Sequence, residues 1–155
     1  MQIQVPCPNI QATQSLACSI SKIAKQGDIF LLYGTLGVGK SVFARAFIQN
    51  LTDAKEVPSP TFTLLQSYTA PDFEIYHFDL YRLKNAEEIW ELNIEEALYT
   101  GVSLIEWPEK MGPYIPRDVF KISVVSSSDN VRLFNIEVNS EEKQMRLKKI
   151  LPQKE

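Results

Sequence analysis

The feature that most constrains the fold is an eight-residue stretch, G-T-L-G-V-G-K-S, at positions 34–41. It satisfies the pattern G-x-x-x-x-G-K-[ST] at every required position, which a chain of this length would do by chance in roughly half a percent of cases. An apolar run at 29–33 precedes it, and apolar side chains recur at helical spacing over 42–51. A buried strand, a glycine-rich loop and a helix are the context that a phosphate-binding P-loop requires.

Each position of this loop has a physical role in binding a nucleotide. Glycines permit backbone angles and close approaches that a Cβ would forbid, so consecutive N–H groups can converge on phosphate oxygens beside a helix N-terminus. Lys40 is expected to reach the β- and γ-phosphates of ATP, and the Ser41 hydroxyl to coordinate Mg²⁺. The ATP-binding residues predicted in the loop are Gly34, Leu36, Gly37, Val38, Gly39, Lys40 and Ser41.

A P-loop enzyme also needs an acidic group that holds Mg²⁺ or its water, usually at the end of a neighbouring strand. Two carboxylates qualify, because Asp79 ends the run 75–78 and Glu106 ends the run 102–105. Either could instead be a solvated strand end or a helix cap.

The single histidine, His77, is expected to pack or bond structurally. Trp107 and Arg82 are possible partner or nucleotide contacts, and the pattern alone does not choose between these and a core or ion-pair role.

The rest of the chain predicts a three-layer α/β fold of the P-loop NTPase class, with a mainly parallel central sheet plus antiparallel strands. One compact domain is expected over residues 1–155, with 140–155 forming a surface helix and tail. Helices are predicted at 11–25, 42–51, from 85 and at 94–98, with a capping box of Asn85 and Glu88 opening the third. Strands are predicted at 29–33, 61–68, 73–80 and 102–106, followed by a hairpin of 119–125 and 131–138.

Composition narrows the class of protein. A net charge of −3 gives no global basic footprint for nucleic acid, although a local basic patch stays open. Two cysteines make neither a disulfide framework nor a zinc set. No signal peptide or membrane-spanning run is evident. A soluble, cytoplasmic protein is therefore expected.

Three further motifs follow the loop in order: S-P-T-F-T-L at 59–64, H-F-D-L-Y-R-L at 77–83 and L-I-E-W-P-E at 104–109. Together with the P-loop, this set resembles the TsaE (YjeE) family of small bacterial P-loop ATPases, from about residue 8 to the late hairpin. The resemblance implies an accessory ATPase for threonylcarbamoyl modification of adenosine 37 in tRNA. It also implies that the chain acts with the TsaB–TsaD pair, in which TsaD carries the transferase chemistry, and that hydrolysis resets the cycle.

The same resemblance assigns roles to individual residues. Ser41 and Glu106 are expected to bind Mg²⁺, and Asp79 to orient the attacking water or the outer shell of the metal. Thr61 is expected to be the sensing hydroxyl of a switch near the nucleotide, whose alternative shapes are limited by the prolines at 58 and 60. Ile10 and Thr13, at the start of the first helix, are expected on the adenine side.

The chain departs from the family pattern at four positions. Thr35 and Val38 stand where aspartate and alanine are usual, Ser41 replaces a commoner threonine, and Asn93 stands where glycine is common. Serine keeps the metal-binding hydroxyl, so the chemistry is expected to survive. Asparagine adopts a left-handed conformation more readily than most residues.

Three alternatives compete with this interpretation. A P-loop small-molecule kinase would need a lid with clustered arginines, but the arginines are dispersed over positions 45, 82, 117, 132 and 146. A GTPase would need an Asn-Lys-x-Asp segment, which is absent from the sequence. A non-catalytic adaptor, in which ATP merely orders residues 59–63 for docking, is not separable from a slow ATPase by sequence. No arginine finger is evident, so turnover is expected to be slow unless a partner completes the site.

Overall fold

The computed structural model describes residues 1–35, 37–127 and 131–150, and its elements form one seven-stranded sheet with helices on both faces. The strands, β1 to β7, are Gln2–Cys7, Ile29–Tyr33, Leu65–Thr69, Glu74–Asp79, Val102–Glu106, Phe120–Ser126 and Arg132–Glu137. The α-helices, α1 to α4, are Ile10–Ser21, Lys40–Leu51, Ile94–Thr100 and Glu141–Lys148. Segments of 3₁₀ helix cover Ala86–Leu92 and Pro108–Tyr114, the second of them kinked at Gly112.

The sheet has a parallel centre and antiparallel edges. Its order is β1-β7-β6-β2-β5-β4-β3. Strands β6, β2, β5 and β4 run parallel, whereas β3 pairs antiparallel with β4, and β7 pairs antiparallel with both β6 and β1. This arrangement confirms the predicted fold class. Parallel central strands require cover on both faces, which explains why β2 and β5 are apolar runs without alternation.

Alternate residues of β2 enter two separate apolar cores. Phe30 and Leu32 join the core formed with α1 and α2, where Phe30 stacks on Phe120 at a centroid distance of 4.6 Å. Ile29 and Leu31 join the opposite core, which includes side chains of α3 and of the first 3₁₀ segment. The three layers that result place the P-loop at the carboxyl end of β2, at one edge of the sheet.

Most predicted elements are present, and the differences have physical causes. Strands β2 and β5 have the predicted bounds, and the late hairpin is formed. Strand β3 begins only at Leu65, because residues 61–63 form a turn in which the Leu64 N–H donates to the Pro60 carbonyl at 2.6 Å. Strand β1 was not predicted. It is an edge strand, which tolerates Pro6.

The predicted capping box at Asn85 is wrong. The Asn85 side chain makes no cap hydrogen bond, and Glu88 Oε2 instead accepts the Lys84 N–H at 2.8 Å. The segment that follows is 3₁₀ rather than α-helix. Asn93, at the junction with α3, has φ 55° and thus adopts the left-handed conformation considered for it.

Helix α4 is shorter than predicted and is anchored to the fold by buried charge. Lys143, Arg146 and Leu147 are buried, which the expectation of a surface helix did not include. Arg146 donates from Nη1 and Nη2 to the two carboxylate oxygens of buried Asp28, at 2.6 and 2.9 Å. These bonds raise the pKa of Arg146 further above its usual range, so the guanidinium stays charged. Residues 151–155, the end of the segment predicted as surface helix and tail, lie outside the described residues. No helix in the described parts of the chain is long and apolar enough to cross a membrane.

Removing the guanidinium should destabilise the protein. Arg146→Ala leaves the Asp28 carboxylate buried without its ion-pair partner, and we expect it to lower the free energy of unfolding by about 3 kcal/mol. Urea denaturation followed by circular dichroism measures this. Lys148→Ala, at an exposed position of the same helix, is the control and should change stability by less than about 0.5 kcal/mol. Equal stability of the two variants would contradict the assignment.

Candidate functional site

The site lies where three parallel strands end at the same edge of the sheet. Glu106, the last residue of β5, pairs in register with Leu32 of β2 on one side and with Asp79 of β4 on the other. The P-loop begins two residues beyond Leu32. The carboxyl edge of a parallel sheet is the common ligand-binding edge of α/β folds. The register therefore brings both predicted carboxylates beside the P-loop.

The glycines of the loop adopt conformations that other residues rarely take. Gly39, with φ 118°, is the N-cap of α2 and accepts the Phe43 N–H at 3.1 Å, so the helix starts at Lys40 rather than at 42. A Cβ on Gly34 would lie 2.7 Å from Val38 Cγ1 and 2.9 Å from the Val124 carbonyl oxygen. Gly34 and Val38 thus shape the loop, and the first-turn N–H groups of α2 face it. Leu36 lies outside the described residues.

Lys40 is held inside the site although it carries a charge. Its side chain is only 4% exposed, and Nζ donates to the Gly34 carbonyl at 2.7 Å while lying 3.8 Å from the centroid of the Trp107 ring. Burial lowers the pKa of Lys40, and the nearby carboxylates of Glu106, Glu109 and Asp79 partly oppose that shift. An anion in the loop would compensate the buried ammonium directly.

The two carboxylates are buried and have different partners. Asp79, 5% exposed, accepts the Thr61 hydroxyl at 3.1 Å through Oδ2 and the Tyr81 N–H at 3.0 Å through Oδ1. Glu106, 3% exposed, lies 2.7 Å from His77 Nε2 through Oε2. These contacts fix both side chains at the base of the site, where ionised groups are costly unless they are bonded.

A cleft with a volume of about 290 Å³ joins these groups. It is lined by Gly37, Gly39, Lys40, Ser41, Val42, Ser59, Thr61, Asp79, Glu106 and Trp107. Its volume is near the lower end of ordinary ligand pockets, about 300 Å³. Four residues of the predicted loop, both carboxylates, Thr61 and Trp107 therefore meet in one cavity.

Residues 59–64 form one wall of the cleft and are tied to Asp79 twice. The Asp79 N–H donates to the Leu64 carbonyl at 3.0 Å, in addition to the Thr61 contact. Ser59 Oγ lies 2.7 Å from Thr61 Oγ1, which extends the hydroxyl chain. Leu64 has φ 66°, a left-handed conformation that is strained for a leucine. The wall and the carboxylate thus fix each other's position.

The donor set fits a cation that is shared with a ligand. No group of three or more His, Cys, Asp or Glu side chains that could hold a metal is found among the described residues. Mg²⁺, however, is usually bound through one or two carboxylates together with substrate phosphates and waters. The exposed Ser41 hydroxyl and the Glu106 and Asp79 carboxylates, all lining the cleft, suit that mode.

Besides Gly34 and Val38 of the loop itself, three described residues among those predicted lie outside the set that lines the cleft. Ile10 is exposed at the first position of α1, and Thr13 is buried within the same helix. The Arg82 guanidinium carbon lies 4.7 Å from the centroid of the Phe62 ring, which is 82% exposed. The adenine-side roles of Ile10 and Thr13 and the contact role of Arg82 stay predictions.

Other contributors were missed or undervalued from sequence. Ser59 and Val42 line the cleft but were not among the predicted site residues, and His77 contacts Glu106 directly. Alternation along β4 puts His77 and Asp79 on the same face of the sheet. The sequence therefore places His77 on the face that carries Asp79. It does not show which strand lies beside β4, and the register between β4 and β5 is needed to find Glu106 as the partner of His77.

Comparison with known proteins identifies the family. The model of the family described as "Threonylcarbamoyl adenosine biosynthesis protein TsaE" matches residues 7–134. The chain belongs to the TsaE family. A relative from Rickettsia bellii, named tRNA threonylcarbamoyladenosine biosynthesis protein TsaE, is 42% identical over 127 residues, covering 81% of this chain and 88% of the relative. The protein of the same name from Bacillus subtilis is 32% identical over 125 residues, covering 80% and 78%. The resemblance seen in the motifs is thus confirmed.

A solved structure supports the fold independently. The crystal structure of Bacillus subtilis YdiB superposes with a TM-score of 0.79, covering 97% of this chain and 94% of YdiB at 24% identity. At that identity the likeness concerns the fold. It extends beyond residues 7–134, because the superposition includes nearly all of the chain.

The Thr61–Asp79 contact should order the wall of the cleft. Thr61→Val removes the hydroxyl donor to a buried carboxylate, and we expect backbone amides of residues 59–65 to exchange about tenfold faster, as loss of a hydrogen bond of roughly 1.4 kcal/mol would give. Hydrogen exchange measured by mass spectrometry checks this. Thr63→Val, at an exposed hydroxyl bonded only to Gln66, is the control. Equal exchange in both variants and the native chain would show that Thr61 does not hold the wall.

Proposed function

We propose that this protein is a slow Mg²⁺-dependent ATPase that supports threonylcarbamoyl modification of adenosine 37 in tRNA, together with TsaB–TsaD. One observation carries the enzymatic part: Lys40, Asp79 and Glu106 meet in a single cleft at the P-loop. Membership of the TsaE family supports the proposed role in tRNA modification. A cytoplasmic location belongs to the same proposal.

The proposed reaction is attack of water on the γ-phosphate of ATP, with ADP and phosphate as products. Bound Mg²⁺ would supply positive charge to the β- and γ-phosphate oxygens. Lys40 would exchange its bond to the Gly34 carbonyl for phosphate oxygens, and the loop N–H groups would bind the same phosphates. Ser41 and Glu106 would hold the cation. The buried position of Lys40 makes its charge more effective, because water screens it less.

Asp79 is the residue proposed to orient the attacking water. Both of its oxygens already accept hydrogen bonds, from the Thr61 hydroxyl and the Tyr81 N–H. These bonds fix the carboxylate while leaving further lone pairs that can accept from a water in the cleft. A fixed acceptor orients a nucleophile at a lower entropic cost than a mobile one.

Slow turnover by the isolated chain follows from the charges around the cleft. Lys40 is the single cationic side chain among the described residues that line it. Catalysed phosphoryl transfer commonly uses an arginine finger supplied by a partner, which accelerates turnover by about 10³–10⁵-fold. We therefore propose that TsaB–TsaD binding completes the site.

ATP hydrolysis by the purified protein, alone and with TsaB–TsaD, is the direct test. We expect slow basal turnover, stimulation by the pair, and loss of both in Lys40→Ala. Because burial lowers the pKa of Lys40, the replacement removes a charge that is costly in the empty site, so Lys40→Ala should remain folded by circular dichroism. Hydrolysis that TsaB–TsaD does not stimulate would refute the proposal that this pair completes the site. Transfer of phosphate to a member of a panel of hydroxyl acceptors would instead support a kinase.

The exposed Phe62 ring favours a second candidate, the nucleotide-gated adaptor. Phe62 lies in the wall that Thr61 ties to Asp79, so nucleotide binding could present this ring to a partner without hydrolysis. Glu106→Ala separates the two functions. If TsaB–TsaD still supports tRNA modification with this variant while hydrolysis is lost, the adaptor function is correct.

Nucleotide binding should be visible in Trp107 fluorescence. The Trp107 ring lies over Lys40 Nζ, so phosphates that bind Lys40 must change the charge next to the indole. Trp90 is the second tryptophan, so Trp90→Phe leaves Trp107 as the sole indole fluorophore. Titration of this variant with ATP should shift its emission, whereas titration of the Trp107→Phe variant should not. A shift of equal size from Trp90 alone would contradict the proposed contact.

A further inference from the structure

We propose that His77 is a positioning residue that fixes one carboxylate oxygen of Glu106 and so aims this side chain at the divalent cation. The inference rests on the proposed function, since it concerns the Mg²⁺ site of that cleft. From the sequence, His77 is expected only to pack or to bond structurally.

The contact is short, buried and set by two central strands. His77 is 2% exposed, and its Nε2 lies 2.7 Å from Glu106 Oε2. His77 belongs to β4 and Glu106 to the adjacent parallel strand β5. Side chains on buried central strands have few alternative positions, because the packed core on that face excludes other rotamers. The histidine is therefore a rigid support for the carboxylate.

The direction of the hydrogen bond follows from the two groups. An ionised carboxylate can only accept, so His77 Nε2–H is the donor. His77 Nδ1 is buried and has no hydrogen-bond partner among the described residues. The contact with Glu106 is thus the one hydrogen bond that this ring makes among the described residues.

A donor that holds one oxygen of a metal ligand sets the direction of the whole carboxylate. His77 fixes Glu106 Oε2 by a hydrogen bond and so orients this carboxylate in the cleft that Glu106 lines. Hydrogen-bond partners of metal ligands typically contribute about 10–100-fold to metal affinity.

The test measures metal binding rather than turnover. His77→Leu removes the donor, whereas His77→Gln places an amide N–H close to the position of Nε2. Ser103→Ala is the matched control on β5, because Ser103 is buried and its hydroxyl has no partner among the described residues. Each variant is titrated with Mg²⁺ in the presence of a non-hydrolysable ATP analogue by calorimetry. Mn²⁺ titrations followed by electron paramagnetic resonance give a second readout.

We expect His77→Leu to weaken Mg²⁺ binding by about 10–100-fold, and His77→Gln and Ser103→Ala to remain within about threefold of the native chain. Binding of the analogue without Mg²⁺ should be unchanged in all three. Unchanged Mg²⁺ affinity in His77→Leu, or equal losses in the leucine and glutamine variants, would overturn the proposal. If the native chain itself shows no Mg²⁺-dependent nucleotide binding, the proposed function fails instead.

A double-mutant cycle covers the case in which His77→Leu does not fold. His77→Asn, whose shorter amide does not reach Glu106, is then compared with the native chain and combined with Glu106→Gln. If His77 acts through Glu106, His77→Asn should weaken Mg²⁺ binding in the native background and have no effect once Glu106 is replaced. No loss in the native background would overturn the proposal. A change that persists in the Glu106→Gln background would overturn the positioning role.

Discussion

The hydrogen-bond register among β2, β5 and β4 is the constraint on which the site depends. It sets Leu32, Glu106 and Asp79 side by side at the carboxyl edge of the sheet. Side chains alternate between faces along a strand, so a slip of one residue in β4 or β5 would turn a carboxylate into the opposite core. The apolar residues before each acid prevent that slip, because they are buried on both faces. The packing of the core therefore specifies the geometry of the site.

Burial at this edge creates an electrostatic imbalance that a ligand would resolve. Lys40, Asp79 and Glu106 are all nearly excluded from water, and the carboxylates are held by a hydroxyl, a backbone N–H and an imidazole rather than by arginine. Lys40 relies on a carbonyl and an aromatic ring for direct contacts. Such an arrangement lowers the stability of the empty site and strengthens the interaction with a phosphate–cation pair. Functional sites commonly accept this cost.

Sequence could predict the parts of the structure whose determinants are local. The P-loop, β2 and β5 were predicted because their glycines and uninterrupted apolar runs lie within a few residues of each other. Strand β1 was missed because its stability comes from pairing with β7, about 130 residues away along the chain. The His77–Glu106 contact needed the register of two strands that are 29 residues apart in sequence. The Asn85 cap failed because Glu88 bonded to Lys84 instead, a competition between neighbouring donors that a motif does not encode.

Two strained residues lie next to the carboxylates or bond to them, and their positions link the cleft to the surface of the protein. Leu64 and Trp107 have φ 66° and 58°, and each costs roughly 1–3 kcal/mol relative to an ordinary conformation. Leu64 is kept there by its bonds to Pro60 and Asp79, and Trp107 directly follows Glu106. A ligand that repositions either carboxylate would alter the bonds that hold this strain. Because the exposed Phe62 lies between Thr61 and Leu64, such a change would reach the surface directly. An ATPase and a nucleotide-gated adaptor would thus both use the segment 59–64. They differ in whether ATP is hydrolysed before this segment returns to its nucleotide-free conformation.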